Sequence, residues 1–186
     1  MKNQSVTPTL EDRCRAIELL ILDVDGVLTA GGITYADDGK ESKTFHVRDG
    51  SGLKIWEYLG KRSAIISGRS SRVVEIRAGE VGVATVIQGA LHKMPAYRQL
   101  LKETGLRPDQ VCFVGDDAPD LPILRNCGLA VAPADGCPDV LQAAHLVTMK
   151  RGGEGAVREV IELILRCQGL WQKLLEDWNG QKLSEL

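Results

Sequence analysis

Along the chain, short apolar runs alternate with longer amphipathic stretches. The runs at 19–24, 63–66, 85–87, 111–114, 129–132 and 145–148 are predicted as strands. Between them the spacing predicts helices near 52–59, 71–81, 93–104, 121–127, 139–144 and 155–167. Ser70 or Ser71, following Gly68-Arg69, supplies an N-cap for the second of these helices. Strand–helix alternation of this kind predicts an α/β fold: a Rossmann-like open parallel sheet with helices on both faces. Residues 30–47 break the rhythm. Gly31 to Tyr35, then Asp37-Asp38-Gly39, then Ser42 to Val47 read as a β-hairpin flap directly after the first strand. A tail at about 168–186 places Trp171, Leu174, Leu175 and Trp178 at helical spacing on one face. That face suits packing on the chain's own surface or, since Trp is enriched at interface cores, contact with another subunit.

The first strand carries the densest chemistry. Its apolar residues run into Asp23-Val24-Asp25-Gly26. With a side-chain period of two, Asp23 and Asp25 start on one face, at the carboxyl edge where open α/β sheets place their sites. Two like charges so close call for a cation or a shared proton. A second acidic turn, Gly115-Asp116-Asp117-Ala118-Pro119-Asp120, follows the strand at 111–114. If the two strands are neighbours, Asp116 meets Asp23 and Asp25, and oxygen donors of this kind suit Mg2+. Ser67-Gly68-Arg69 offers a hydroxyl, an amide near a helix start and a guanidinium, a combination that favours anions. Lys93 opens the next helix.

Composition changes this picture little. The 186 residues suit one domain, 1–186, with a substantial core. A net charge of −2 argues against a nucleic-acid binder with a broad basic face. No stretch approaches the ~20 apolar residues of a membrane span. Met1 to Leu10 is polar, without the apolar segment of a signal peptide, so a cytoplasmic location is expected. The five cysteines are odd in number and show no CxxC spacing, which signals neither zinc nor a disulfide framework.

Taken in order, DVDGVLT at 23–29, SGR at 67–69, Lys93 and GDDAPD at 115–120 resemble the four motifs of the haloacid dehalogenase (HAD) superfamily of phosphohydrolases. Two further stretches, His46-Val47-Arg48-Asp49-Gly50-Ser51-Gly52 and Gly152 to Glu159, narrow the resemblance, as does a short hairpin where others carry a cap domain. The chain then looks like the 3-deoxy-D-manno-octulosonate 8-phosphate phosphatase family of lipopolysaccharide biosynthesis. The resemblance covers most of the chain and implies capless homotetramers in which a neighbouring subunit helps close each site. It implies Asp23 as nucleophile, forming an aspartyl-phosphate, and Asp25 as general acid and then base. Ser67 and Lys93 would hold the phosphoryl oxygens. Mg2+ would sit on the side chains of Asp23 and Asp116 and the carbonyl of Asp25, with Asp117 orienting Lys93 or a metal-bound water. For the sugar acid it implies His46, Val47, Arg48, Asp49, Gly50, Lys54, Arg69 and Arg77, whose cations suit a substrate carboxylate. Arg48 has a competing structural reading as an ion-pair partner, and Arg77 as a solvated helix residue.

Many family members have Tyr where Ser51 stands and Arg where Lys54 stands, and many have a basic residue where Glu154 stands. A nine-carbon sugar acid 9-phosphate, of the sialic-acid or ketodeoxynonulosonate type, is therefore the alternative substrate. Readings from other classes are a receiver-like phosphoacceptor and a non-catalytic scaffold. The first lacks an acid two residues past its aspartate, and the second predicts a missing essential group.

Overall fold

The structure, a computed structural model, describes residues 8–179. Residues 1–7 and 180–186, with part of the polar N-terminus and the end of the tail, lie outside them. At the centre of a six-stranded parallel sheet runs β1 (Leu19–Leu22), every residue of it buried. Here β2 (Thr34–Tyr35) and β3 (Glu41–Ser42) form the hairpin, followed by β4 (Arg62–Ile66), β5 (Thr85–Ile87), β6 (Val111–Val114), β7 (Leu129–Ala132) and β8 (Leu146–Val147). The sheet order is β5-β4-β1-β6-β7-β8, with Leu22 level with Ile65 on one side and with Val114 on the other. After β1 the chain builds outward to one edge and then returns to build the other. The crevice at that reversal is where such sheets hold ligands.

Period two divides β1 between two cores. Leu20 and Leu22 pack beneath α1 (Leu10–Ala16), α2 (Val47–Tyr58), α3 (Arg72–Val81), α7 (Ala156–Cys167) and α8 (Leu170–Asn179). Leu19 and Ile21 face α4 (Lys93–Thr104), α5 (Leu121–Leu124) and α6 (Pro138–Ala143). Each buried leucine or isoleucine contributes roughly 1.5–3 kcal/mol, so both faces hold the central strand in place. The expected open parallel sheet, covered on both sides, is what forms.

Several elements differ from their sequence expectations. Helix α1 was not anticipated; Thr9 and Asp12 cap it reciprocally, a signal carried by the spacing Thr-x-x-Asp. α2 begins at Val47 rather than near 52, because Gly50 and Gly52 conceal a helix by propensity. Packing demands small residues there. A Cβ on Gly52 would lie 3.1 Å from Arg158 Cδ and 3.3 Å from Ile161 Cδ1 of α7. A 3-10 turn over Ala118–Asp120 precedes α5, which stops at Leu124. β1 ends at Leu22, so Asp23 and Val24 lie just past it, although the Asp23 amide still bonds the Val114 carbonyl at 3.0 Å.

The hairpin is smaller than expected and turns at Gly39 with φ 77°. In the tail, α8 buries Trp171 and Leu174 against the chain's own core, and the guanidiniums of Arg158 and Arg166 lie 5.0 and 5.3 Å from the Trp171 ring centre. Trp178 stays partly exposed. Among the described residues no helix is long and apolar enough to cross a membrane.

Candidate active site

Four strand ends deliver side chains to one cleft of about 360 Å3. β1 brings Asp23 and Asp25, β4 brings Ser67 and Arg69, the turn after β5 leads to Lys93, and β6 brings Asp116, Asp117 and Asp120. A glycine makes the convergence possible. Gly26 has φ 89°, and a Cβ there would stand 2.1 Å from Asp116 Oδ2. The DxDG turn thus lets the Asp116 carboxylate lie directly on its backbone. Behind the same turn lies Gly152, where a Cβ would meet the Gly26 carbonyl oxygen at 1.8 Å, while the Gly153 amide bonds the Val27 carbonyl at 3.0 Å.

Lys93 is buried and lies 2.9 Å from Asp23 Oδ1. It donates to Asp120 Oδ1 at 2.6 Å. Burial alone would depress its pKa, but the two carboxylates together outweigh burial and the net shift is upward. Asp23 is pushed up to about 6, first by burial, with Lys93 opposing and the Asp120 charge adding. Asp116 is pushed up to about 7 by burial and then by the charges of Asp23 and Asp120. One lysine therefore does not neutralise the acidic cluster.

The donor set fits a divalent cation. Single carboxylate oxygens of Asp23, Asp116 and Asp120 lie within 4.8 Å of one another. Asp116 Oδ1 is buried with no hydrogen-bond partner among the described residues. Asp120 is already engaged: besides Lys93, it accepts from the amides of Asp116 at 3.1 Å and Asp117 at 3.4 Å. Asp23 and Asp116 are consequently the side chains with oxygens to spare, and hard oxygen donors suit Mg2+.

Not every expected residue reaches this cleft. Asp23, Asp25, Ser67, Arg69, Lys93, Asp116 and Asp117 line it. Asp117 does not touch Lys93: it caps the 3-10 turn by accepting from the Ala118 amide at 2.8 Å, and the expected contact with Lys93 belongs to Asp120. His46, Val47, Arg48, Asp49, Gly50 and Lys54 belong to the start of α2 and stand apart from the cleft. Asp49 is 1% exposed, and its Oδ1 accepts the Arg158 amide at 2.7 Å, so it caps α7 from a neighbouring helix. Arg77 reaches over Gly50, bonds Glu80 at 3.0 Å and lies 5.9 Å from the Phe45 ring centre. Arg48 and Val47 are exposed, and Lys54 lines a surface groove with Ser51 and Trp178.

Sequence reasoning missed three contributors. Asp120 stood inside a quoted motif, four residues after Asp116, a spacing that brings a carboxylate back over its own turn. The Gly152-Gly153 pair gave no sign of what it would pack against. Lys43, on the hairpin, contacts Asp25 Oδ1 directly with its side chain 1% exposed.

Comparison with known proteins gives this cleft a context. Residues 58–161 match the family model described as haloacid dehalogenase-like hydrolase. The 3-deoxy-D-manno-octulosonate 8-phosphate phosphatase of Salmonella typhimurium is 40% identical over 178 residues, covering 96% of this chain and 93% of that protein. Its counterpart from Moraxella catarrhalis, solved in complex with magnesium ion, phosphate ion and KDO, superposes with TM-score 0.88 at 39% identity, over 90% of this chain and 97% of that one. The cobalt-bound Haemophilus influenzae enzyme of the same designation gives TM-score 0.82 at 38% identity, over 86% and 93%. By fold, motif order and sequence, the chain belongs to the haloacid dehalogenase-like hydrolase family, among the relatives of 3-deoxy-D-manno-octulosonate 8-phosphate phosphatase.

Proposed function

We propose that this protein is a Mg2+-dependent phosphatase that hydrolyses 3-deoxy-D-manno-octulosonate 8-phosphate to the free sugar acid and inorganic phosphate. The observation that carries this reading is the meeting of Asp23, Ser67, Lys93 and Asp116, from four strand ends, around one cleft. Asp23, held by Lys93 at 2.9 Å through Oδ1, attacks phosphorus and becomes an aspartyl-phosphate. Asp25 gives a proton to the departing sugar oxygen, then takes one from the water that hydrolyses the intermediate. Ser67 and Lys93 bind the oxygens of the transferring phosphoryl group, whose charge spreads as its bonds loosen. Asp23, Asp116 and the Asp25 carbonyl would hold Mg2+, which would add positive charge beside the phosphoryl oxygens. Asp120 keeps Lys93 and the Asp116 loop in register.

On the substrate side, Arg69 at the cleft suits the sugar-acid carboxylate. His46, Val47, Arg48, Lys54 and Arg77 stand away from their own cleft, while Asp49 and Gly50 are buried beneath them. We assign the former to the cleft of a neighbouring subunit in a cytoplasmic homotetramer. Sedimentation velocity tests that assignment, since a monomer working at full rate excludes it.

The test of function is phosphate release, with Mg2+, from a panel of eight- and nine-carbon keto-acid phosphates, beside Asp23→Asn. Turnover highest on the eight-carbon ester is expected. Preference for a nine-carbon member would replace the substrate but keep the chemistry. A parent no faster than the Asp23→Asn control on every phosphoester would refute the phosphatase reading.

A further inference from the structure

Lys43 stands one residue past β3, on a hairpin whose other strand is exposed, yet its own side chain is 1% exposed. A buried ammonium is costly unless paired. Two carboxylates pair it: Asp25 Oδ1 in direct contact, and Glu41 Oε1 at 3.4 Å. Glu41 Oε1 also accepts from Arg69 Nη2 at 3.0 Å, and Arg69 Nε comes within 3.5 Å of Asp25 Oδ2. A further bond, 3.0 Å long, runs from Arg69 Nη2 to the Tyr35 hydroxyl. Two cations and two anions thus alternate in a closed ring that ties the flap, the loop after β4 and the turn after β1. All four members belong to one chain. Exposed ion pairs are commonly incidental, but a dehydrated lysine on a carboxylate two residues from the nucleophile constrains that carboxylate directly.

Resting on the phosphatase reading above, we infer that Lys43 is a positioning residue for Asp25. From its own subunit's flap it fixes Oδ1 and leaves Oδ2, which has only the longer approach from Arg69, to exchange the proton. In the first half-reaction the bond from phosphorus to the sugar oxygen breaks, its electron pair stays on that oxygen, and the proton of Asp25 moves there. A carboxyl group free to rotate makes that transfer from the wrong place more often than from the right one. An alkoxide needs this proton in order to leave, whereas p-nitrophenolate departs without it. Lys43 therefore matters in proportion to the basicity of the leaving group.

The experiment compares parent and Lys43→Met in single-turnover release of the alcohol from the parent's best alkyl phosphate and of p-nitrophenol from p-nitrophenyl phosphate, at one Mg2+ concentration. The variant is expected to slow alkyl release about 10- to 100-fold, with p-nitrophenol release and the KM for the alkyl ester each changed less than about threefold. Lys43→Arg is expected to recover part of the alkyl rate. Equal losses on both esters would mark a purely structural contact and overturn the inference, as would no loss on either. If the methionine variant lacks the parent's circular dichroism spectrum, Lys43→Gln is read by the same criteria. A parent inactive on every phosphoester removes the proposed function and this inference together, while an active parent with an unaffected variant removes the inference alone.

Discussion

Asp116 gives the sharpest quantitative expectation, because its environment opposes its own charge. Burial and the neighbouring charges of Asp23 and Asp120 carry its pKa from 3.8 to about 7. At 1.36 kcal/mol per pH unit, the ionised form in the cation-free protein is disfavoured by about 4 kcal/mol. The group is partly open to water, and screening reduces that figure to roughly 2 kcal/mol. Asp116→Asn keeps the shape and removes the charge. In EDTA at pH 8 the variant should therefore melt about 4–8 °C above the parent, the shift that ~2 kcal/mol produces in a chain of this size. The sign follows from linkage: a carboxyl with a raised folded-state pKa contributes stability that is present below its unfolded value, 3.8, and lost as pH rises through about 7. The advantage of the variant should accordingly shrink toward pH 4.

Saturating Mg2+ reverses the ranking. At a hundredfold excess over Kd it adds about 2.7 kcal/mol to the parent, and it should add much less to the variant, which has lost a donor oxygen. Differential scanning calorimetry across pH 4–8, with and without Mg2+, measures all of this. Equal or lower melting of the variant in EDTA at pH 8 would show that Asp116 carries no uncompensated charge, and the account of the cluster as a cation site would fail.

Three further outcomes are expected. Asp25→Asn should lower kcat by about two to four orders of magnitude on the sugar phosphate; a loss under tenfold in steady-state assays speaks against its acid–base role. Gly26→Ala forces a Cβ toward Asp116 Oδ2 at 2.1 Å and a side chain into φ +89°. It should cost ~1–3 kcal/mol in urea denaturation and abolish turnover, and parent-like activity would contradict the close approach of Asp116. Asp49→Ala removes the cap on the Arg158 amide and should cost about 1–2 kcal/mol of unfolding free energy; an unchanged urea midpoint would argue against the cap.

Much of the framework was legible because one-dimensional signals coincide with it. Short apolar runs marked all six sheet strands to within a residue or two, and the DxDG and GDDAPD turns follow strands that do lie side by side. Asp23 and Asp116 meet because β1 and β6 are paired, which the sequence motivates but only topology delivers. What escaped is set by long-range packing. The start of α2 was hidden by Gly50 and Gly52, which give room to side chains of α3 and α7 respectively. Asp49 entered the substrate set through the family resemblance alone, and the partner of its Oδ1 is an amide 109 positions away. Lys43 sat in a stretch read only as a hairpin flap, and nothing local announced that its ammonium would be buried on Asp25. Asp117 and Asp120 are both acids of one turn, and only the fold-back of that turn separates the capping residue from the one that holds Lys93.

The glycine pair behind the DxDG turn ties chemistry to completion of the chain. All the acidic groups and Lys93 are present once residue 120 has been made, but the backbone that braces the nucleophile's turn comes from residues 152 and 153 and is anchored by α7. A nascent polypeptide extended just past residue 120 thus owns every reactive group without the wall that aligns them. Competence to cleave a phosphoester arrives late, as the closing segments dock, rather than growing in step with length.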